Sequence, residues 1–276
     1  MKKYSIWVIS PFGDNRQRAF DDVSICLQEA FRRIGYDVPI VTDRKKVIGR
    51  PIILATNLID TTIYSEIPDN AILYNFEQIY SGSPWFTKNY LDMLRNHEVW
   101  DYSPLNKFNL EKLGVNQVKL CPVGYEPVIS KIGNNEETID VLMYGKVNER
   151  RQKIIDELSD NGFHAKFITN AYGEARDHYI SRSKIIINVH YYPARIFEIV
   201  RVSYLLANQR FVISENGDDD ELEKPFAEGV IFSDYKDLLN ICRYYIDNTV
   251  LRKKVAKSGY LMFNKVRQHE LLEKVI

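Results

Sequence analysis

The sequence predicts an α/β protein of two doubly wound domains that face each other across a cleft. Three observations carry this. Short β-rich apolar runs alternate with longer amphipathic segments, the pattern of parallel sheets joined by helices. The alternation occurs twice, on either side of GYEPVISKIGNNEET (residues 124–138), a stretch without periodicity and rich in turn residues. The chain has 276 residues and 45% hydrophobic content, enough for two cores of ordinary size.

In the first series YSIWVIS (4–10) reads as a strand. After the turn PFGDN a helix is expected over roughly 15–34, with Phe20, Val23, Leu27, Ala30, Phe31 and Ile34 on one face and Gly35 as its stop. Strands follow at 38–42, 51–56 and 71–76, then a helix near 84–96, a strand at 98–103, a helix near 104–113 and a strand at 118–123. The second series opens with IDVLMYG (139–145), a helix over 148–161, a strand at 163–169, a helix near 173–182 and the strand KIIINVH (184–190). A helix from about 195 to 208, strands at 210–214 and 229–233, and helices over 235–247 and 249–266 complete it. The expected domains are therefore 1–125 and 126–276, with a C-terminal helix able to pack back on the first. Ligands of such folds sit beyond the carboxyl ends of the strands.

Thirty-seven basic residues balance 37 acidic ones, so no global charge draws the chain to nucleic acid or an anionic membrane. Any phosphate affinity must be local. No stretch approaches the ~20 apolar residues of a membrane span, and MKKYSIWVISPFGD turns polar too early for a signal peptide. A cytoplasmic location is expected. Cys26, Cys121 and Cys242 are far apart and in apolar surroundings, which suits buried reduced thiols.

Four stretches carry candidate chemistry. In MYGKVNERR (143–151) a strand ends, Gly145 permits a tight turn and a helix begins, so free N–H groups and a positive helix end face the ligand side. Lys146, Arg150 and Arg151 add cations at an end where the macrodipole already disfavours them, a conflict an anionic ligand would relieve. The alternative is a solvated basic turn. In NVHYYPARIFEIVR (188–201), His190, Tyr191, Arg195, Glu198 and Arg201 crowd one strand-to-helix junction, and the last three are spaced to share a helix face. A surface salt-bridge ladder is the plainer reading, but the helix continues IVRVSYLLAN, and buried charges need partners or a ligand.

SPFGDNRQR (10–18) offers Gly13 for a bend and Asp14 or Asn15 as a helix cap, without the full GxGxxG pattern. YNFEQIYSGSPWF (74–86) places Glu77, Gln78, Tyr80 and Trp85 together, a set suited to holding a polyol and equally to a core. The acidic run GDDDELE (217–223) reads as a solvated loop and not as a metal site.

VKLCPVGYEP, DVLMYGKVNERR, DNTVLRKKVAKSGYLMF and NVHYYPARIFEIVR together resemble a GT-B-fold glycosyltransferase with two Rossmann-like domains. The C-terminal half is similar to the glycosyl transferases group 1, family four-like and retaining. That family carries two glutamates separated by seven residues; Glu198 matches the second, and His190 stands in place of the first. The resemblance implies retaining transfer of a hexose from a nucleoside diphosphate sugar, of GDP-mannose or UDP-glucose type, to an acceptor such as a glycan. It implies a donor site of Gly145, Lys146, Arg150, Arg151, Tyr191, Arg195, Glu198 and Arg201, with His190, Lys146 and Arg150 at the chemistry. Gly13, Asp14 and Glu77 fall on the acceptor side. No cofactor and no obligatory metal are implied, a nucleic-acid partner is disfavoured, and a homodimer is one option for assembly. A non-catalytic nucleotide-sugar-binding module and a sugar-phosphate or nucleotide epimerase are the competing classes.

Overall fold

The computed structural model of the chain describes residues 3–11, 15–80, 82–83 and 85–276. It comprises two compact units, residues 1–128 with 266–276, and residues 129–265.

The first unit holds a sheet of β1 (Tyr4–Val8), β2 (Ile40–Val41), β3 (Arg50–Leu54), β4 (Ile72–Asn75), β5 (Glu98–Asp101) and β6 (Val118–Leu120). Its order is β2-β1-β3-β4-β5-β6, and the paired strands run parallel. Every residue of β1 and β4 is buried, as strands covered on both faces require. Helices α1 (Asp21–Arg33), α2 (Lys88–Arg95) and α3 (Pro104–Lys112) cover the sheet, and Leu27, Ala30 and Phe31 of α1 enter the same core as Ile6, Ile52 and Leu73. Helix α1 is shorter than the expected span because Arg16–Phe20 forms a 3-10 turn first, and Asn15 makes no side-chain cap bond. Helix α2 starts at Lys88, later than expected, because the Thr87 hydroxyl accepts from Tyr90 N–H and sets the boundary.

The second unit contains β7 (Ile139–Tyr144), α4 (Glu149–Asp160), β8 (Ala165–Ile168), α5 (Glu174–Ile180) and β9 (Ser183–Asn188). It continues with α6 (Ile199–Ala207), β10 (Val212–Glu215), α7 (Asp220–Glu223), β11 (Ile231–Ser233), α8 (Leu238–Ile246) and α9 (Thr249–Phe263). Its strands are parallel in the order β11-β10-β9-β7-β8. From β7 the chain goes first to β8 on one side and then to β9 on the other. The topological switch point therefore lies between the carboxyl ends of β7 and β9.

One expectation is corrected here. The acidic run is not a solvated loop: it forms the short helix α7, capped by Asp219, which accepts from Leu222 N–H at 3.2 Å, and Asp219 and Glu223 are buried. The boundary between the units falls within the stretch 124–138, after Val128, and the part beyond it is tied to the second unit. Asn208 Oδ1 accepts from the amides of Lys131 (2.8 Å) and Ile132 (2.7 Å), and Arg210 donates to the carbonyls of Ile132 and Gly133.

A final helix, α10 (Gln268–Glu273), belongs to the first unit. Gly124 makes its docking possible: a Cβ there would lie 2.8 Å from the Val266 carbonyl oxygen and 2.9 Å from Gln268 N. Gln268 Oε1 accepts from Gly124 N–H at 2.6 Å, and Leu272 and Val275 join the core of that unit. The three cysteines are buried free thiols. Among the described residues no helix is long and apolar enough to cross a membrane.

Candidate functional site

The switch point of the second sheet collects most of the titratable side chains singled out in the sequence. β7 ends at Tyr144, and Gly145 follows with φ +125°, a backbone state that side chains rarely adopt. A Cβ at Gly145 would stand 2.7 Å from Arg201 Nη2, so glycine also lets that guanidinium approach the turn. Asn148 caps α4, its Oδ1 accepting from Arg151 N–H at 2.9 Å, while other first-turn amides of this helix keep no intrahelical acceptor.

The basic residues of this turn divide by what they touch. Arg150 grips Glu215 with both terminal nitrogens, at 2.6 Å for Nη1 to Oε2, and its guanidinium lies 4.0 Å from the Tyr235 ring centre. Arg151 is buried and fully engaged: Nε donates to Val189 O at 2.7 Å, Nη1 to Lys146 O at 3.0 Å and Nη2 to Glu198 Oε1 at 3.3 Å. Burial and, after it, the Arg201 guanidinium pull Arg151 down to about 10. The conflict expected between these arginines and the helix dipole is thus relieved internally, by Glu215, Glu198 and backbone carbonyls. Lys146 is different. It is exposed, and its ammonium stands 5.0 Å from the Tyr191 ring centre.

The junction after β9 also departs from expectation. Helix α6 starts at Ile199, with Glu198 at its N-cap position, so Arg195 does not share a helix face with Glu198 and Arg201. Arg195 has φ +44° and pairs with Asp218 through both Nε (3.3 Å) and Nη2, while its carbonyl accepts from Asp218 N–H at 3.0 Å. It therefore joins the loop after β9 to the loop after β10.

Glu198 turns its carboxylate back over the strand ends instead of capping its helix. Oε2 accepts from Asn188 Nδ2 at 2.9 Å and lies 3.0 Å from His190 Nδ1; Oε1 faces Arg151. Burial alone would raise its pKa, but His190, Arg201 and Arg151 outweigh it and hold Glu198 down at about 2. A carboxylate offers about four lone-pair sites, and the 17% exposure of this side chain leaves acceptor capacity toward solvent.

His190 is enclosed. The residue is 1% exposed, both ring nitrogens are enclosed, and Nε2 has no hydrogen-bond partner among the described residues. Burial disfavours its charge, yet Glu198, Glu215 and Glu223 prevail and its pKa is raised. His190 thus lies against Glu198 inside the strand-end cluster.

Sequence reasoning missed three members of this cluster. Asn188, fully buried at the end of β9, donates to Glu198 and to Ser214 Oγ (3.0 Å) and accepts from Arg201 Nη1 at 2.5 Å. Glu215, at the end of β10, accepts both Arg150 and the His190 N–H, the latter at 3.1 Å. Glu223 accepts from Gly217 N–H at 2.7 Å, and burial pushes its carboxyl up to about 7. A charged residue closing the apolar run RFVIS was the one legible sign of Glu215.

In the first unit, Gly13 and Asp14 lie outside the described residues. Glu77 follows β4 in a loop fixed from beneath. Asn75 and Asn106 donate to its carbonyl at 2.9 Å each, and both also donate to the buried Asp101. The Arg16 guanidinium lies 5.5 Å from the Trp85 ring centre beyond that loop. Among the described residues no group of three or more His, Cys, Asp or Glu side chains could hold a metal ion.

No protein-family profile matches the chain. Two uncharacterized proteins of Acanthamoeba polyphaga mimivirus are similar to it. One is 25% identical over 188 residues, covering 63% of this chain and 21% of that protein. The other is 28% identical over 192 residues, covering 65% and 60%. The chain thus spans less than two thirds of the length of either relative. Among solved structures, Anabaena HepE in complex with UDP-glucose superimposes with TM-score 0.65 at 8% identity, covering 98% of each chain. T4 phage BGT in complex with UDP and Mn2+ gives TM-score 0.63 at 14% identity over 99% of each chain. AviGT4, a glycosyltransferase involved in avilamycin A biosynthesis, gives TM-score 0.59 at 10% identity over 99% of this chain and 96% of that one. The chain has the two-domain Rossmann-like α/β fold of GT-B glycosyltransferases.

Proposed function

We propose that the chain transfers a hexose, with retention, from a nucleoside diphosphate sugar of UDP-glucose or GDP-mannose type to a glycan acceptor. One observation carries the reading: a carboxylate held ionised (Glu198) and two cations that make no direct ion pair with a carboxylate among the described residues (Lys146 and Arg201) meet at the switch point of the second sheet. That is where doubly wound sheets take nucleotides. The UDP-glucose held by HepE, a protein of the same fold, supports the same choice of ligand.

Glu198 accepts the ribose hydroxyls with its remaining lone pairs. The diphosphate lies over the Gly145 turn, against Arg201, Lys146 and the free amides opening α4. As the bond from the anomeric carbon to phosphate oxygen breaks, negative charge grows on the departing diphosphate, and these fixed donors stabilise it with little reorganisation. With side-chain cations in that role, transfer is metal-independent. Tyr191, which stands over Lys146 and Arg151, forms a wall of the donor site. Gly13, Asp14 and Glu77 are assigned to the acceptor side, and the protein works in the cytoplasm.

The same donor site would serve a nucleotide-sugar-binding module, and the enclosure of His190 favours that second reading. Incubation with UDP- or GDP-sugars and a panel of glycans separates the two. Sugar transfer or donor hydrolysis supports the enzyme, and tight binding without turnover supports the module.

A further inference from the structure

Glu198 and Arg201 are three residues apart at the opening of α6, a spacing at which an acid and a base ordinarily pair. They make no direct ion pair here. Asn188 stands between them: Oδ1 accepts from Arg201 Nη1 at 2.5 Å, and Nδ2 donates to Glu198 Oε2 at 2.9 Å. Nothing about this amide is adjustable. Asn188 is fully buried, its strand position pairs it with Ser214 of β10, and Nδ2 also donates to Ser214 Oγ at 3.0 Å. The orientation is dictated, because only the oxygen can face a guanidinium and only the nitrogen can face a carboxylate.

We propose that Asn188 is a positioning residue whose amide holds Arg201 and Glu198 apart, so that each keeps its free face for a different part of one nucleoside diphosphate. Without the amide, guanidinium and carboxylate would close on each other and neutralise the charges that the ligand needs. With it, Arg201 Nη2 stays beside Gly145 and Glu198 stays open toward solvent. The donor readers therefore act as one unit, set by a neutral residue that touches neither ligand nor solvent. The proposal rests on the donor-site reading above.

The test is titration calorimetry of UDP and GDP with wild type, Asn188→Ala, Asn188→Asp and Asn188→Ser, together with a crystal structure of Asn188→Ala. The alanine variant should lose roughly tenfold or more in affinity, the scale of a hydrogen bond to a charged group. Its structure should show Arg201 and Glu198 paired within hydrogen-bonding distance. Serine, which retains a donor and an acceptor, should recover part of the loss. The aspartate variant keeps the shape of the side chain but replaces the Nδ2 donor with a second acceptor facing Glu198. Its affinity should fall at least as far as that of the alanine variant, whereas a residue that merely filled space would tolerate the isosteric change. Wild-type affinity in Asn188→Ala, or unmoved Arg201 and Glu198 side chains in its structure, overturns the proposal. If wild type binds neither nucleotide, the donor-site reading fails, and the variant structure alone decides whether the amide keeps the pair apart.

Discussion

Replacing Gly145 by alanine probes the donor turn through two independent effects. The first is conformational: at φ +125° a side chain is strained, at a cost of about 1–3 kcal/mol. At roughly 2–4 °C per kcal/mol, Tm should fall by about 2–12 °C. The second is local. The new Cβ would stand 2.7 Å from Arg201 Nη2, so the guanidinium must leave the turn. A hydrogen bond to a charged group contributes about 1.5–3 kcal/mol, so UDP or GDP affinity should fall by roughly 10–150-fold. Calorimetry on Gly145→Ala, Arg201→Ala and the double variant separates the effects. If Gly145 serves Arg201, the double variant binds no more weakly than Arg201→Ala alone. Additive losses, or an unchanged affinity in Gly145→Ala, would refute the reasoning.

Arg150→Ala leaves the Glu215 carboxylate without its bidentate partner, so urea unfolding should show a loss of about 1–3 kcal/mol, while nucleotide affinity stays within about threefold. A large affinity loss would return Arg150 to the donor site. His190 is held more basic than usual by Glu198, Glu215 and Glu223, despite its burial. The folded chain then binds more protons than the unfolded one, so the contribution is full below an unfolded pKa of about 6.5 and is lost as pH rises through the folded value. The stability gap between wild type and His190→Gln, measured by urea unfolding from pH 6 to 9, should therefore narrow as pH rises; a constant gap would show that the ring is neutral. Sugar transfer should persist in EDTA. Loss of turnover restored by manganese would show that a metal shares the diphosphate with Lys146 and Arg201.

The fold was legible because most strands are apolar runs closed by turn residues, and because Gly145 and the amphipathic α4 announce a strand-to-helix turn. Glu198 was singled out through the family resemblance, whose paired glutamates have the His190–Glu198 separation, and by the apolar helix after it. What that residue does with its charge was not legible. The φ of Arg195 shifts the start of α6 past the point that spacing suggests, and Arg195 then belongs to Asp218. Asn188, Glu215 and Glu223 gain meaning only when β9 and β10 lie side by side, since their partners are distant in sequence or on another strand. Arg150 and Arg151 show the same limit. Their charges suggested an anionic ligand, and the structure answers them with Glu215 and Glu198. Helix α10 returns to the first unit because Gly124 admits the chain, a contact invisible in local periodicity.

The most direct test of the account is a binding screen of UDP-, GDP- and ADP-sugars against wild type, Glu198→Ala and Lys146→Ala. One nucleotide sugar should bind the wild type, and each substitution should weaken that ligand by roughly tenfold or more. Failure of the wild type to bind any of them, or binding indifferent to both substitutions, would contradict a donor site at the switch point of the second sheet.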